Sequence, residues 1–125
     1  MTFSLETGEF VRAACNRLPA AILSPSEVEE IAAQCDNSRA LCFACEDGMF
    51  VVQLRAASDT ELELFVLVAV AFRYGAVERQ DAALLQIARD LEADTVAFQS
   101  RRRGWGRRLG PEWTRRGLDE FVRGV

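Results

Sequence analysis

The first third of the chain places hydrophobic residues at helical spacing. Residues 8–18 carry apolar side chains three and four positions apart, which predicts an amphipathic helix after a short strand at residues 3–5 and before Pro19. Its apolar face consists of Phe10, Val11, Ala14 and Leu18. The sequence SPSE at residues 24–27 has the serine, proline and glutamate of a capping box with proline at the first helical position. A second helix should therefore run from there to about Cys35.

The middle of the chain changes to the period of a strand. Residues 40–55 form two apolar runs around the turn sequence EDG at residues 46–48, which predicts a β-hairpin. Residues 61–72, ELELFVLVAVAF, begin with alternation and become continuously apolar. This pattern predicts a central strand whose far half is covered on both faces.

The last third predicts a helix between two strands and then a hairpin. After a loop at residues 73–77, residues 78–94 have a helical apolar stripe, and residues 95–99 read as a buried strand. The stripe consists of Ala83, Leu84, Ile87, Ala88 and Leu91. Strand, helix and strand in this order predict a right-handed crossover between parallel neighbours. Residues 113–117 and 119–124 should form a closing hairpin, so residues 1–125 make one α/β domain.

Composition excludes several kinds of catalysis. The 125 residues are 50% hydrophobic and 27% charged, which is typical of one globular domain, and they include no histidine and no lysine. Ser-His-Asp and Cys-His catalysis, His-containing zinc sites, Schiff-base lysines and the Walker phosphate loop all need residues that are missing. The longest apolar run, residues 64–72, is shorter than the roughly 20 residues of a membrane-spanning helix. With no secretory signal in the sequence, we expect a cytoplasmic protein.

The four cysteines include one C-x-x-C spacing. Cys42 and Cys45 lie in a predicted strand, where residues three apart point to opposite faces and cannot share a metal ion. A redox C-x-x-C instead begins a helix, where the dipole stabilises a thiolate. Cys15 and Cys35 fall in predicted helices. We therefore predict four small, buried hydrophobic residues in a reducing compartment, and no metal site.

Charge is unevenly distributed along the chain. Residues 1–100 hold sixteen acids and seven arginines, whereas residues 101–125 hold eight arginines and three acids. The basic tail could fold back on the acidic body, or it could form a site for phosphate, a nucleotide or nucleic acid. Within it, SRRRGWGRR combines phosphate contacts with an aromatic residue that can stack on a base. The candidate nucleic-acid-binding residues are Arg101, Arg102, Arg103, Trp105, Arg107 and Arg108; the alternative is a solvated loop with Trp105 and Leu109 packed under the sheet.

The order of elements resembles that of the GNAT superfamily of acyl-CoA-dependent N-acyltransferases. The resemblance covers nearly the whole chain and is carried by residues 61–121, with the strand LFVLVAV, the helix DAALLQIARDLEAD, the strand TVAFQ and the ending RRRGWGRRLGPEW. It implies a mixed, mainly antiparallel central sheet flanked by helices, with a parallel β-α-β crossover after the central strand.

The resemblance also implies a cofactor site. In that superfamily the central strand separates from its parallel neighbour and pairs with the pantetheine arm, and the pyrophosphate lies at the N-terminus of the next helix. The phosphate loop normally reads Q/R-x-x-G-x-G/A; here Arg73 matches, but Ala76 and Glu78 replace the glycines. The implied binding residues for acetyl-CoA or another acyl-CoA are Val68, Val70, Arg73, Gly75, Ala76, Val77 and Arg79.

The implied catalytic base is Glu61 or Glu63, near the start of the central strand. The tyrosine that acts as acid in many members has no counterpart, since its place falls near Trp105 and Gly106. Two functions follow: transfer of an acyl group to an amine, or a non-catalytic role binding protein or nucleic acid through the arginine-rich end. The eroded loop and all-arginine composition resemble small phage or prophage proteins, which act in the bacterial host or the virion. Exposed sheet edges also permit a homodimer.

Overall fold

The chain folds into one mixed sheet with helices on both faces. The computed structural model describes residues 3–72, 76–100 and 109–125, with the backbone alone at residues 76–79. These residues form strands β1 Ser4–Glu6, β2 Leu41–Cys45, β3 Gly48–Ala56, β4 Leu62–Ala71, β5 Thr95–Gln99, β6 Thr114–Arg116 and β7 Glu120–Gly124. The helices are α1 Gly8–Cys15, α2 Pro25–Asp36 and α3 Ala76–Asp90. The strand order is β1-β2-β3-β4-β5-β7-β6, so β4 is central, as predicted.

Only one pair of neighbouring strands in the described residues is parallel. β4 and β5, which come before and after α3 in the chain, run parallel to each other, whereas the other neighbouring strands are antiparallel. The predicted parallel pair and the closing β6–β7 hairpin are both confirmed. The class is therefore mixed α/β with a mainly antiparallel sheet.

The capping box of α2 forms as predicted. The Oγ of Ser24 accepts a hydrogen bond from the Glu27 amide at 3.2 Å, and the Glu27 carboxylate accepts one from the Ser24 amide at 3.1 Å. The first helix is shorter than predicted and ends at Cys15. Its last turn tightens, because Leu18 donates to the carbonyl of Cys15, three residues back, and Leu18 also precedes a proline, where helical backbone is disfavoured.

The third helix begins earlier than predicted. It starts at Ala76, so the prediction of a loop as far as Val77 is wrong, and it ends at Asp90 rather than residue 94. Glu92 adopts a left-handed conformation, with φ of 59°, which stops the helix from continuing. The predicted stripe is confirmed, since Ala83, Leu84, Ile87, Ala88 and Leu91 all belong to one core.

Two cores lie on opposite faces of the sheet. Met49 and Val51 point to α1 and α2 and belong to what we call the α2-side core. Phe50 and Val52 point to α3 and belong to the α3-side core. Because all four are almost completely buried, each contributes about 1.5–3 kcal/mol through the hydrophobic effect.

The central strand contains a β-bulge that the sequence analysis missed. Val66 lies opposite Val52 and Val68 lies opposite Val51, so Leu67 is an extra residue on β4. The face pattern changes at this point, because Val66 packs in the α3-side core and Val68 in the α2-side core. The prediction that the far half of the strand is covered on both faces is wrong: Ala69 and Ala71 are exposed. The near half is the part covered on both faces, because residues 63–66 are all buried, and the bulge sets which face the later apolar residues occupy.

The cysteines point where the strand pattern predicted. Cys42 and Cys15 are buried in the α2-side core, but Cys45 and Cys35 are only half-buried, so the prediction that all four are buried is wrong for two of them. None of the four cysteines forms a disulfide. Within the described part of the chain, no group of three or more cysteine, aspartate or glutamate side chains is placed to hold a metal ion. None of the described helices is long and apolar enough to cross a membrane.

Candidate ligand groove between the fourth and fifth strands

The parallel strands separate halfway along β4. Their pairing runs from Glu63 opposite Thr95 to Val66 opposite Phe98 and stops there, while β4 continues to Ala71. The separation begins at the Leu67 bulge, which increases local twist. Among the described residues, no strand pairs with the β5-facing edge of β4 beyond Val66. Its backbone amides and carbonyls there are polar groups that need partners.

A groove of about 620 Å³ occupies this gap. One wall comes from α2 and the connection before it, including Leu23 and Ile31 of the α2-side core. Another comes from α3, where Leu84 belongs to the α3-side core. Because α2 and α3 lie on opposite faces of the sheet, the groove passes through the sheet from one face to the other.

The far wall consists of β5 and the residues before the final hairpin. Phe98 and Trp113 line the groove, and their rings meet edge to face with centroids 5.3 Å apart. Phe98 also stacks on Phe121 of β7 at 5.3 Å. These contacts fix the end of β5 to the closing hairpin rather than to β4.

Gln80 brings an unpaired amide to the α3 side of the groove. The side chain is 5% exposed, and its Nε2 has no hydrogen-bond partner among the described residues. Leaving such a buried donor unpaired costs about 1–3 kcal/mol. Gln80 fits because Gly48 has no side chain: a Cβ there would lie 2.6 Å from the Gln80 Nε2.

Asp81 lies beside Gln80 and carries the negative charge of this wall. Arg123 of β7 lies between two carboxylates, 3.7 Å from Asp81 and 3.6 Å from Glu112. Burial raises the pKa of Asp81, the Arg123 guanidinium lowers it in part, and Glu112 raises it again. The arrangement ties the final hairpin to α3.

The two candidate bases differ in their surroundings. Glu61 is exposed and precedes β4. Glu63 is 6% exposed and accepts a hydrogen bond from the Arg116 Nη2 at 2.9 Å, and Arg116 bonds to Glu120 as well. The pKa of Arg116 is raised by its hydrogen bonds to Glu120 and Glu63. Neither glutamate lines the groove; Glu63 lies two residues before Phe65, which does.

The predicted cofactor residues are only partly described. Val68 lines the groove, whereas Val70 is buried in the α2-side core. Ala76, Val77 and Arg79 form the first turn of α3, where the backbone amides have no partner within the helix. Arg73 and Gly75 lie outside the described residues. So do the candidate nucleic-acid contacts, which are Arg101, Arg102, Arg103, Trp105, Arg107 and Arg108.

The described arginines of the C-terminal segment bind within the chain. Arg116 pairs with Glu63 of β4 and Arg123 with Asp81 of α3, while Arg115 donates to the Leu118 carbonyl. For these residues, the tail folds back on the acidic body, one of the two interpretations that the charge pattern allowed. No protein-family model, curated protein or solved structure matches this chain.

Two residues of the site were not predicted. Gln80 is a polar residue near the start of α3. The one feature of the sequence that could have indicated its burial is its position one helical turn before the apolar stripe. For Arg116, the sequence predicts only a place in the closing hairpin of the basic tail. Nothing in the local sequence pairs it with Glu63, because the two residues are 53 positions apart.

Proposed function

We propose that this chain is a GNAT-like protein that binds an acyl-CoA thioester in the groove and transfers the acyl group to an amine. The single observation that carries the proposal is the end of β4–β5 pairing at Val66, next to the Leu67 bulge, with a groove through the sheet beyond it. An extended molecule with amide groups suits this gap, because it can pair with the free edge of β4 as an added strand would.

Three features of the chain would hold the donor. The edge of β4 from Leu67 to Ala71 offers backbone groups to the pantetheine amides. The first-turn amides of α3 offer hydrogen bonds to the pyrophosphate, and α3 is long enough for its dipole to favour an anion there. Gln80 lines the groove as well, and rotation of its side chain away from Gly48 would bring the buried, unpaired Nε2 to a carbonyl oxygen of the ligand.

The transfer step requires a base and a leaving group. The amine nitrogen attacks the thioester carbonyl carbon, a C–N bond forms, the C–S bond breaks and CoA leaves as the thiolate. We assign Glu63 as the group that takes the amine proton, directly or through water, since it lies on the same face of β4 as Phe65 at the groove. Arg116 bonds to its Oε1 and orients the carboxylate.

Calorimetric titration with CoA tests binding. Ala69→Phe places a ring in the groove and should abolish the heat of binding, whereas Ala56→Phe, at the exposed end of β3 and outside the groove, should leave it unchanged. Glu63→Gln should bind CoA normally but release no CoA from acetyl-CoA in the presence of amines, as followed by chromatography. Absence of binding to the wild-type chain at millimolar CoA would refute the proposal.

A further inference from the structure

The half of the groove on the α2 side has an apolar floor. Six hydrophobic side chains line it: Leu18, Ile22, Leu23, Ile31, Phe65 and Leu67. We call this part the α2-side compartment. Leu23, Ile31 and Phe65 are buried by the protein around them, so the floor is built on the core rather than on mobile surface side chains. Such a floor favours an apolar group, because each buried methylene gains about 0.8 kcal/mol.

Four polar side chains also line the compartment: Glu27, Glu30 and Gln34 from α2, and Arg55 from the end of β3. Glu30 and Arg55 are exposed, whereas the half-buried Glu27 carboxylate accepts a hydrogen bond from the Ser24 amide in the capping box. Gln34 is held by Gln53, which donates to its Oε1 at 3.1 Å, and the Arg55 guanidinium stacks on the Phe65 ring at 3.9 Å. A ligand in the compartment therefore meets hydrocarbon at the floor, together with charged groups that are exposed to water or bonded to other residues.

The compartment continues directly into the gap between β4 and β5. Leu67 belongs to both, since it lines the floor and is the bulged residue at which strand pairing ends. A molecule that occupies both parts must have polar amide groups along the strand edge and an apolar end beyond them. This combination of a polar arm and an apolar end describes a thioester with an alkyl chain.

We propose that the α2-side compartment binds the alkyl chain of the acyl group, so that the donor is a medium-chain acyl-CoA in preference to acetyl-CoA. This inference rests on the proposed function, which sets the direction in which the donor enters the groove. The gain per methylene corresponds to about a fourfold fall in Kd.

The test is a calorimetric series of CoA, acetyl-CoA, butanoyl-CoA, hexanoyl-CoA and octanoyl-CoA on the wild-type chain. We expect Kd to fall about fourfold per methylene until the compartment is full. Ile22→Trp should flatten the series while the affinity for CoA itself stays the same, and Leu118→Trp, at an exposed turn residue, should change neither. Leu18→Ser, at a half-buried position, provides a second variant with the same expected flattening should Ile22→Trp not fold.

A second series separates this inference from the proposed function. N-acyl cysteamines of two to eight acyl carbons carry the chain without the nucleotide. Should CoA bind with no dependence on chain length, the alkyl site is wrong and the CoA site stands. Should CoA fail to bind while the cysteamines bind more tightly with each methylene, the compartment stands and the CoA proposal is wrong. If neither the CoA series nor the cysteamine series binds, the alkyl site and the CoA site are both wrong.

Discussion

Arg116 on the edge strand β6 donates to Glu63 on the central strand β4 at 2.9 Å, although β5 and β7 lie between them in the sheet. The Glu63 carboxylate is almost fully buried, whereas the guanidinium is 45% exposed. The bond therefore compensates the burial of one charge by another that remains in contact with water. Its loss would leave a buried carboxylate without its cation.

Arg116→Ala should destabilise the fold by about 1–2 kcal/mol. A hydrogen bond to a charged group contributes about 1.5–3 kcal/mol, and the exposure of the guanidinium reduces that amount. Urea unfolding measures the change. Adding Glu63→Gln to Arg116→Ala should recover part of the loss, because a neutral amide is easier to bury than a carboxylate. Arg115→Ala, which removes bonds to the Leu118 carbonyl in the exposed turn and a distant contact with the Phe121 ring, is the control, and a loss as large as that of Arg116→Ala would contradict this account.

Gly48→Ala should destabilise the fold by more than about 2 kcal/mol. The new Cβ would lie 2.2 Å from the Val70 carbonyl oxygen, and backbone cannot move aside as a flexible side chain can. Gly124→Ala is the matched control, since a Cβ there meets nothing within 4 Å. Thermal and urea unfolding of the two variants should differ clearly; equal stability would show that the strand ends at Gly48 are not packed as described.

Ser24→Ala should destabilise the fold by about 1 kcal/mol, because the Glu27 amide loses its acceptor at the N-terminus of α2. Ser26 lies two residues further on, is exposed, and has its hydroxyl 3.2 Å from that of Ser24. Ser26→Ala leaves the Glu27 amide its acceptor, so it should change the free energy of unfolding by less than about 0.5 kcal/mol. Urea unfolding with far-UV circular dichroism compares the two. A similar effect of both substitutions would argue against the capping box.

Stability should fall as pH rises above about 9. Burial raises the pKa of Cys15 to about 11 and that of Cys42 to about 12, from an ordinary value of 9.0. Above pH 9 the unfolded chain therefore releases protons that the folded chain retains, which favours unfolding by up to about 1.4 kcal/mol per pH unit for each thiol.

Urea unfolding between pH 8 and pH 10.5 checks this prediction, with Cys42→Ala compared at each pH. The variant is less stable at pH 8, since it loses buried volume, but its stability should fall less steeply with pH than that of the wild type. Parallel slopes would mean that the Cys42 thiol ionises as easily in the folded chain as in the unfolded one. Native-state alkylation at pH 8 should also leave Cys15 and Cys42 unmodified.

The sequence predicted most of the fold because local signals agreed with one another. Three local signals each specify an element independently of the rest of the chain: the capping residues at 24–27, the turn sequence at 46–48 and the stripe from Ala83 to Leu91. The site was harder to predict, because it depends on register. Whether Leu67 is paired or bulged is decided by the partner residues Val51 and Val52, which lie across a turn and on another strand.

The interior of β4 shows why the pattern misled. The continuous apolar run LFVLVAV predicts a strand whose far half is covered on both faces, but the near half is the covered one, and Ala69 and Ala71 beyond the bulge are exposed. Hydrophobicity alone does not distinguish the two halves. The pairing of Glu63 with Arg116 was out of reach for a similar reason, since it depends on how the closing hairpin lies over the sheet.

The Leu67 bulge has a consequence for the kinetics of binding. The bulge belongs to the pairing register of β3 and β4, which is formed when the chain folds, so the gap beyond Val66 exists before any ligand arrives. A molecule that enters the gap does not have to separate two paired strands, because β4 and β5 are already apart there in the folded chain. The groove is in this sense preorganised, and association should follow a single bimolecular step whose rate rises linearly with ligand concentration.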